Sequence, residues 1–147
     1  VFRPRFLANL QPYRLLRYMD WMETNSSPVV NVADYPDVND AFWHRVPMPI
    51  LAELGNRLGS DIWINIPHRA SDALVDSFAT TLRDTFRTDR KVYIEYSNEN
   101  WNGIFQQNVE MAARRLGQRV GVRYGEGFVL REPTIVEDLT TLRVASF

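Results

Sequence analysis

Apolar residues recur along the chain at two spacings, one typical of strands and one typical of helices. The predicted elements are a helix over 2–10, a strand over 15–21, a loop over 23–40, a helix near Pro49 that Gly59 ends, a strand over 61–66, a helix capped by Ser71 that reaches Phe86, a strand over 92–96, and a helix capped by Asn102 that Gly117 ends. Strands that alternate with amphipathic helices predict an α/β domain with parallel strands and right-handed crossovers. In the tail over 118–147, residues 120–129 are interrupted by glycine and could form a strand or a hairpin, residues 135–144 show no clear period, and we assign no structure to this tail.

Polar side chains lie within or just after each predicted strand. The first strand carries Arg17, His68 follows the second, and the third contains Glu95 and is followed by Asn98 and Glu99. The carboxyl ends of parallel strands meet at one edge of a sheet, where ligands of α/β proteins bind. An amide and a carboxylate at the end of a buried strand are also costly to place without a use. The sequence therefore predicts one shared polar site at this edge.

Glu99 is the candidate catalytic residue of this site. A carboxyl group partly removed from water can act as a general acid near neutral pH. The alternative is a glutamate at the entry of the next helix, where it favours the helix macrodipole. Asn98 could donate a hydrogen bond to a substrate hydroxyl, although an asparagine after a strand is also an ordinary turn residue.

The other polar residues have both a binding and a structural interpretation. His68 could bind substrate or relay a proton, or it could be a simple loop histidine. Arg17 needs an acceptor, because a buried guanidinium without a partner is costly, and Glu95 in the third strand could supply one. That pair would then be a structural ion pair that supports the site.

Three tryptophans lie in or beside the loops at the predicted site. Trp21, Trp43 and Trp101 could stack their flat faces on the C–H faces of sugar rings. The alternative is plain packing in the core, which we expect for at least one of them.

Composition narrows the class of protein. The chain has 147 residues, of which 45% are apolar and 24% charged, and its net charge of −1 gives no general attraction to nucleic acid or membranes. It contains no cysteine and no apolar run long enough to span a bilayer. Asp34, Asp37 and Asp40 lack the glycine and glutamate of a calcium loop, so no metal or other cofactor is predicted.

The segment Glu95-Tyr96-Ser97-Asn98-Glu99 resembles the ExxNE signature of clan A glycoside hydrolases, which include the family 5 cellulases. In that clan the motif ends the fourth strand of a (β/α)8 barrel. Arg17 is similar to the arginine on the second strand, and His68 to the histidine that ends the third. The family usually has proline after the motif glutamate, where this sequence has Asn100. The stretch IEYSNENWN is also similar to bacterial cellulose-binding and cellulase-like proteins.

The resemblance implies a retaining hydrolase that acts on a β-linked polysaccharide or oligosaccharide. Glu99 would be the general acid/base, Asn98 would bond the sugar 2-hydroxyl, and His68 and Arg17 would position the substrate and the second carboxylate. This substrate class favours a secreted or extracellular protein.

The resemblance covers residues 2–117, which correspond to the first half of a barrel. In the family the nucleophile comes from the seventh strand, and a full barrel needs roughly 200 residues or more. We therefore expect a truncated (β/α)8 TIM barrel as a single domain over 1–147, without its nucleophile. Open sheet edges favour self-association. Two alternatives stay open, namely a non-catalytic carbohydrate-binding relative of the barrel and an α/β fragment without a ligand.

Overall fold

The computed structural model describes residues 2–119. In chain order the elements are α1 (Pro4–Leu10), β1 (Leu15–Arg17), a 3₁₀-helix (Val32–Asp34), α2 (Met48–Leu58), β2 (Asp61–Ile66), α3 (Asp72–Thr85), β3 (Val92–Tyr96) and α4 (Gln106–Arg119). The chain divides into two compact units, Val1–Met111 and Ala112–Phe147. The whole described sheet belongs to the first unit. Most of the predicted tail over 118–147 lies outside the described residues, so one domain over the full chain stays a prediction.

The three strands form one parallel sheet in the order β1-β2-β3. Trp63 of β2 pairs with Arg17 on one side and with Tyr93 on the other, and Asn65 pairs with Glu95. Paired residues of neighbouring strands point to the same face, so these side chains form rows across the sheet. The predicted alternation of parallel strands with helices is confirmed.

The two faces of this sheet differ in chemistry. One face carries Leu16, Ile62 and Ile64, which are at most 9% exposed. They pack in one cluster with side chains of α2 and α3, including Leu51, Leu54, Leu74, Phe78 and Leu82. The opposite face carries Arg17, Trp63, Asn65, Tyr93 and Glu95. Side chains alternate along a strand, so the same three strands supply an apolar core and a separate polar face.

β3 is more exposed than a buried strand would be. Ile94 is 67% exposed and Tyr96 is 43% exposed, although both point to the same face as the core residues of β2. The buried cluster contains Ile62 and Ile64 but not Ile94. β3 is an edge of the described sheet, so the expectation of burial there is wrong within residues 2–119.

β1 is shorter than the predicted strand over 15–21. It ends at Arg17, and the chain then turns so that the Met22 N–H donates to the Tyr18 carbonyl at 2.9 Å. The Tyr18 hydroxyl donates to the Leu51 carbonyl of α2, and burial raises the pKa of Tyr18. The Tyr18 N–H still donates to the Trp63 carbonyl of β2 at 3.0 Å, and the turn over 18–22 follows.

The local signals at helix ends agree with the structure for α2 and α3. Gly59 takes a φ of 62° at the end of α2, a conformation that glycine adopts without steric cost. The Ser71 hydroxyl accepts from the Leu74 N–H at the start of α3. None of the helices within residues 2–119 combines the length and the apolar character that a membrane span requires.

The bounds predicted for α4 are wrong. The helix begins at Gln106 and continues through Gly117 to Arg119. The Asn102 side chain accepts from the Ile104 N–H ahead of the helix, and the first helical N–H, that of Gln106, donates to the hydroxyl of Ser26. The cap therefore comes from a loop 80 residues away in sequence, which no local pattern reveals.

The predicted loop over 23–40 is well structured. Thr24 and Val29 are each 1% exposed, and the 3₁₀-helix within the loop has Asp34 accepting from the N–H groups of Val30 and Asn31. The bonds from Asn31 and then Val30 hold the pKa of the Asp34 carboxyl below its usual range. Asp34 therefore stabilises a turn within this loop.

We predict that Gly55→Ala destabilises the first unit. A Cβ at Gly55 in α2 would lie 2.6 Å from Ile62 Cγ2 and 2.9 Å from Phe86 Cε2, both in the core. The overlap outweighs the better helix propensity of alanine, so the free energy of unfolding should fall by about 1–2 kcal/mol. Gly103→Ala is the control, because its Cβ would meet only Asn108 Oδ1 at 3.9 Å. Equal urea midpoints for the two variants would contradict this packing.

Candidate functional site

The polar face is organised around one carboxylate oxygen. Oε2 of Glu95 accepts hydrogen bonds from Arg17 Nη2 at 2.7 Å, from Asn65 Nδ2 at 2.8 Å and from Trp63 Nε1 at 3.0 Å. The donors come from β1 and β2, so this oxygen connects all three strands. Hydrogen bonds to an ionised group are the stronger kind in proteins. The ion pair between Arg17 and Glu95 that the sequence suggests is present.

Arg17 has three partners in the site. Its guanidinium lies over the Trp63 ring, 5.1 Å from the ring centroid. Nη2 donates to Glu95 and also, at 2.7 Å, to Oδ1 of Asn98. The side chains of Arg17 and Glu95 are 37% and 30% exposed, so the pair is reached by solvent. Arg17 thereby links the charged face of the sheet to the loop after β3.

Asn98 is buried and fully oriented. It is 3% exposed, its Oδ1 accepts from Arg17, and its Nδ2 donates to Oδ1 of Asn25 at 3.0 Å. Its main-chain carbonyl accepts from Nε2 of Gln107 at 2.7 Å. These contacts fix the position of Asn98, and its bond to a sugar 2-hydroxyl stays a prediction.

The backbone of the loop is strained on both sides of Asn98. Ser97 has a φ of 55° and Glu99 a φ of 44°, in the left-handed region that residues other than glycine rarely adopt. Each such residue costs about 1–3 kcal/mol and persists where the surroundings determine it, commonly at functional sites. Here the Ser97 N–H donates to the Ile66 carbonyl, and the Ser97 carbonyl accepts from Asn65 Nδ2. The strand ladder and the polar face together hold the turn.

Glu99 projects from this loop and is half-buried. Its Oε2 accepts from Asn102 Nδ2 at 3.0 Å, and among residues 2–119 it makes no ion pair. The alternative of a helix-entry glutamate does not fit, because α4 begins only at Gln106 and has no acidic residue in its first turn. The carboxylate is therefore held by an amide and not by a cation or a helix end.

His68 lies beside Glu110. It is 2% exposed, and its Nε2 lies 3.7 Å from Oε2 of Glu110, whose Oε1 lies 3.4 Å from Nε of Arg69. The His68 carbonyl accepts from the hydroxyl of Tyr96 at 2.8 Å. The structure thus places His68 at the end of β2 but in a second polar cluster with α4.

The three tryptophans occupy different surroundings. Trp101 is 79% exposed and follows Glu99 in the same loop. Trp21 stacks between Phe6 and Tyr18 with ring centroids 6.0 Å apart on each side, and it lines a cavity of about 350 Å³ beside β1 that Arg17 also lines. Trp43 donates from Nε1 to the Asp37 carbonyl within the long loop. Trp101 is the tryptophan best placed to meet a ligand of Glu99.

Sequence reasoning missed four residues of the site. Trp63 and Asn65 alternate with the core residues of β2, and a polar asparagine within an apolar strand was an available signal. Asn25 and Gln107 gave no such signal, because the contacts of Asn25 with Asn98 and Gln107 join residues more than 70 positions apart along the chain. Within the described part of the chain no group of histidine and acidic side chains has the arrangement of a metal site.

Comparisons of this chain with protein-family models, with curated proteins and with solved structures found no match.

We predict that Glu95→Gln lowers the free energy of unfolding by about 1–2 kcal/mol, since the three donors would lose a charged acceptor while the side chain keeps its size. Glu53→Gln is the matched control, because Glu53 makes only an exposed ion pair with Arg57 one turn away in α2. That change should cost less than about 0.5 kcal/mol. Chemical denaturation of both variants measures the difference, and equal losses would show that the polar face adds nothing specific.

Proposed function

We propose that the site acts on a β-linked saccharide, with Glu99 as the general acid/base of a retaining glycoside hydrolase. One observation carries the proposal. Glu99 stands in a strained loop at the carboxyl end of a parallel strand, next to an asparagine that accepts from Arg17 of β1, on the far side of β2. This arrangement supports the resemblance of residues 95–99 to the ExxNE signature, because Arg17 joins Glu95 and Asn98 of that segment.

The proposed fold is part of a (β/α)8 barrel, with the polar face of the sheet turned inward. The parallel order β1-β2-β3 supports it, as does the burial of only one face by α2 and α3. Parallel sheets normally have both faces covered, and in a barrel the second face is covered by the opposite strands. Exposed residues on the helix face of β3, such as Ile94, would then pack against a further helix, while a further strand would pair with the β3 backbone.

In the proposed reaction a second carboxylate attacks the anomeric carbon, and Glu99 gives its proton to the leaving glycosidic oxygen as that bond breaks. Water then attacks the anomeric carbon of the glycosyl-enzyme, the bond to the second carboxylate breaks, and Glu99 takes the proton of this water. Asn102 would orient the Glu99 carboxyl, and Trp101 would stack on a sugar ring. The nucleophile, about 5–5.5 Å from the acid/base in retaining enzymes, would come from outside residues 2–119.

A non-catalytic carbohydrate-binding protein is the second candidate. The observation in its favour is Trp101, whose 79% exposed ring offers a stacking surface that needs no reaction. Within residues 2–119, Glu95 lies near the loop but already forms an ion pair with Arg17. On this alternative Glu99 would bond a sugar hydroxyl.

The two candidates differ in the effect of Glu99→Gln. Hydrolysis of an aryl β-cellobioside and of soluble cellulose is measured on the full-length gene product, and binding of cellohexaose by calorimetry. If Glu99 is the acid/base, the cellulose rate falls by about 10²–10⁴-fold while binding changes little. Glu53→Gln, which alters an exposed carboxylate of α2, is the control and should keep the wild-type rate.

An inert wild type that binds cellohexaose would favour the non-catalytic alternative. Trp101→Ala should then weaken binding by roughly 5–100-fold, the range expected for loss of an aromatic stacking surface. If the wild type neither hydrolyses nor binds these glucans, the carbohydrate function is wrong.

A further inference from the structure

A cluster of three amide side chains, Asn25, Asn98 and Gln107, connects the Glu99 loop to two other segments. Asn25 lies in the loop after β1, and Gln107 lies in the first turn of α4. Oδ1 of Asn25 accepts from Nδ2 of Asn98 at 3.0 Å and from Nε2 of Gln107 at 2.9 Å. We call these three residues the amide cluster.

Gln107 is wholly buried, with 0% exposure, and each of its polar atoms is used. Nε2 donates one hydrogen to Asn25 and the other to the Asn98 carbonyl at 2.7 Å. Oε1 accepts from the N–H of Ser26 at 2.9 Å. A buried amide is tolerated only where its hydrogen bonds are made, so this side chain fixes the three segments relative to one another.

The amide cluster also leaves Asn98 one orientation. Its oxygen faces the Arg17 guanidinium, which can only donate, and its nitrogen faces the Asn25 oxygen, which can only accept. Exchange of the two ends would put donor against donor and acceptor against acceptor. Both the side chain and the carbonyl of Asn98 are therefore held, directly between the left-handed residues Ser97 and Glu99.

We infer that Gln107 and Asn25 are positioning residues for Glu99. They hold Asn98, and through Asn98 they hold the strained backbone that aims the Glu99 carboxyl. Removal of Gln107 leaves the Asn98 carbonyl and the Ser26 N–H without their partners, so the loop should relax toward ordinary backbone angles. The claim that Gln107 and Asn25 hold the loop does not depend on the proposed function, whereas their relevance to sugar chemistry rests on it.

The sequence offers a matched pair of variants for the test. Gln106 and Gln107 are neighbours in α4, but Gln106 is exposed, and within residues 2–119 its side chain donates only to Glu110. In the 147-residue chain, Gln107→Met should speed amide hydrogen exchange in residues 96–102 by at least about ten-fold, which corresponds to roughly 1.4 kcal/mol. Exchange in β2 and α3 should stay at the wild-type rate, and Gln106→Met should change neither region.

Two variants of Asn25 form a second matched pair. They test the inference if Gln107→Met destabilises the whole first unit. Asn25→Asp keeps the accepting oxygen and both bonds to it, whereas Asn25→Leu removes them. Faster exchange in 96–102 for leucine but not for aspartate supports the inference. Equal exchange in both variants, or an unchanged loop in a folded Gln107→Met, overturns it.

Cellohexaose binding to the same variants separates the inference from the proposed function. We expect Gln107→Met to weaken binding by about ten-fold and Gln106→Met to match wild type. Faster loop exchange in Gln107→Met together with unchanged binding would mean that the loop does not serve the sugar. A wild type that does not bind cellohexaose removes the carbohydrate function, while the exchange data still decide whether Gln107 and Asn25 hold the loop.

Discussion

The pairing of Arg17 with Glu95 is the constraint on which the polar half of this structure depends. It lies on the face of the sheet that α2 and α3 do not cover, with Trp63 and Asn65 completing the donors to the same carboxylate oxygen. Burial on the other face excludes a slip by one residue, which would turn Ile62 and Ile64 to the polar face, but it distinguishes a slip by two residues weakly, since Ile62, Ile64 and Ile66 are alike. A slip by two residues would still separate Asn65 from Glu95. The charged pair therefore specifies a register that apolar packing then stabilises.

The same pair also connects the sheet to the loop that follows β3. Arg17 Nη2 donates both to Glu95 within β3 and to Asn98 beyond its end. The strand ladder alone ends near Ser97, where the backbone enters the left-handed region. If Arg17 did not hold the Asn98 side chain, the loop should relax, because two left-handed φ angles within three residues are energetically costly. Strain of this kind is a stability cost that natural proteins accept at functional sites.

Sequence reasoning succeeded where the determining interactions are local. The alternation in β2, the Ser71 cap and the Gly59 end of α2 each involve residues within a few positions of one another. The parallel order followed from the alternation of elements, and Arg17 with Glu95 followed from the need of a strand arginine for an acceptor. The partial barrel and the roles of the site residues go beyond these local signals and stay proposals.

Sequence reasoning failed where contacts between distant segments determine the local structure. The Tyr18 hydroxyl donates to the Leu51 carbonyl of α2 just beyond the end of β1, and the Ser26 hydroxyl accepts from the Gln106 N–H at the start of α4. Gln107 is wholly buried among such contacts. A buried amide with three tertiary hydrogen bonds cannot be told from an exposed one by sequence alone, because both look polar.

Glu95 and Glu99 show how one short segment can give two carboxylates different tasks. Glu95 is balanced by the guanidinium of Arg17, and its Oε2 is saturated by three donors. Among residues 2–119 the Glu99 side chain accepts only from the amide of Asn102 and makes no ion pair. The acid/base role proposed for Glu99 and the structural ion pair of Glu95 are therefore associated with different surroundings. The uncharged amide cluster beside Glu99 is thus as much a part of the candidate chemistry as the charged pair beneath it.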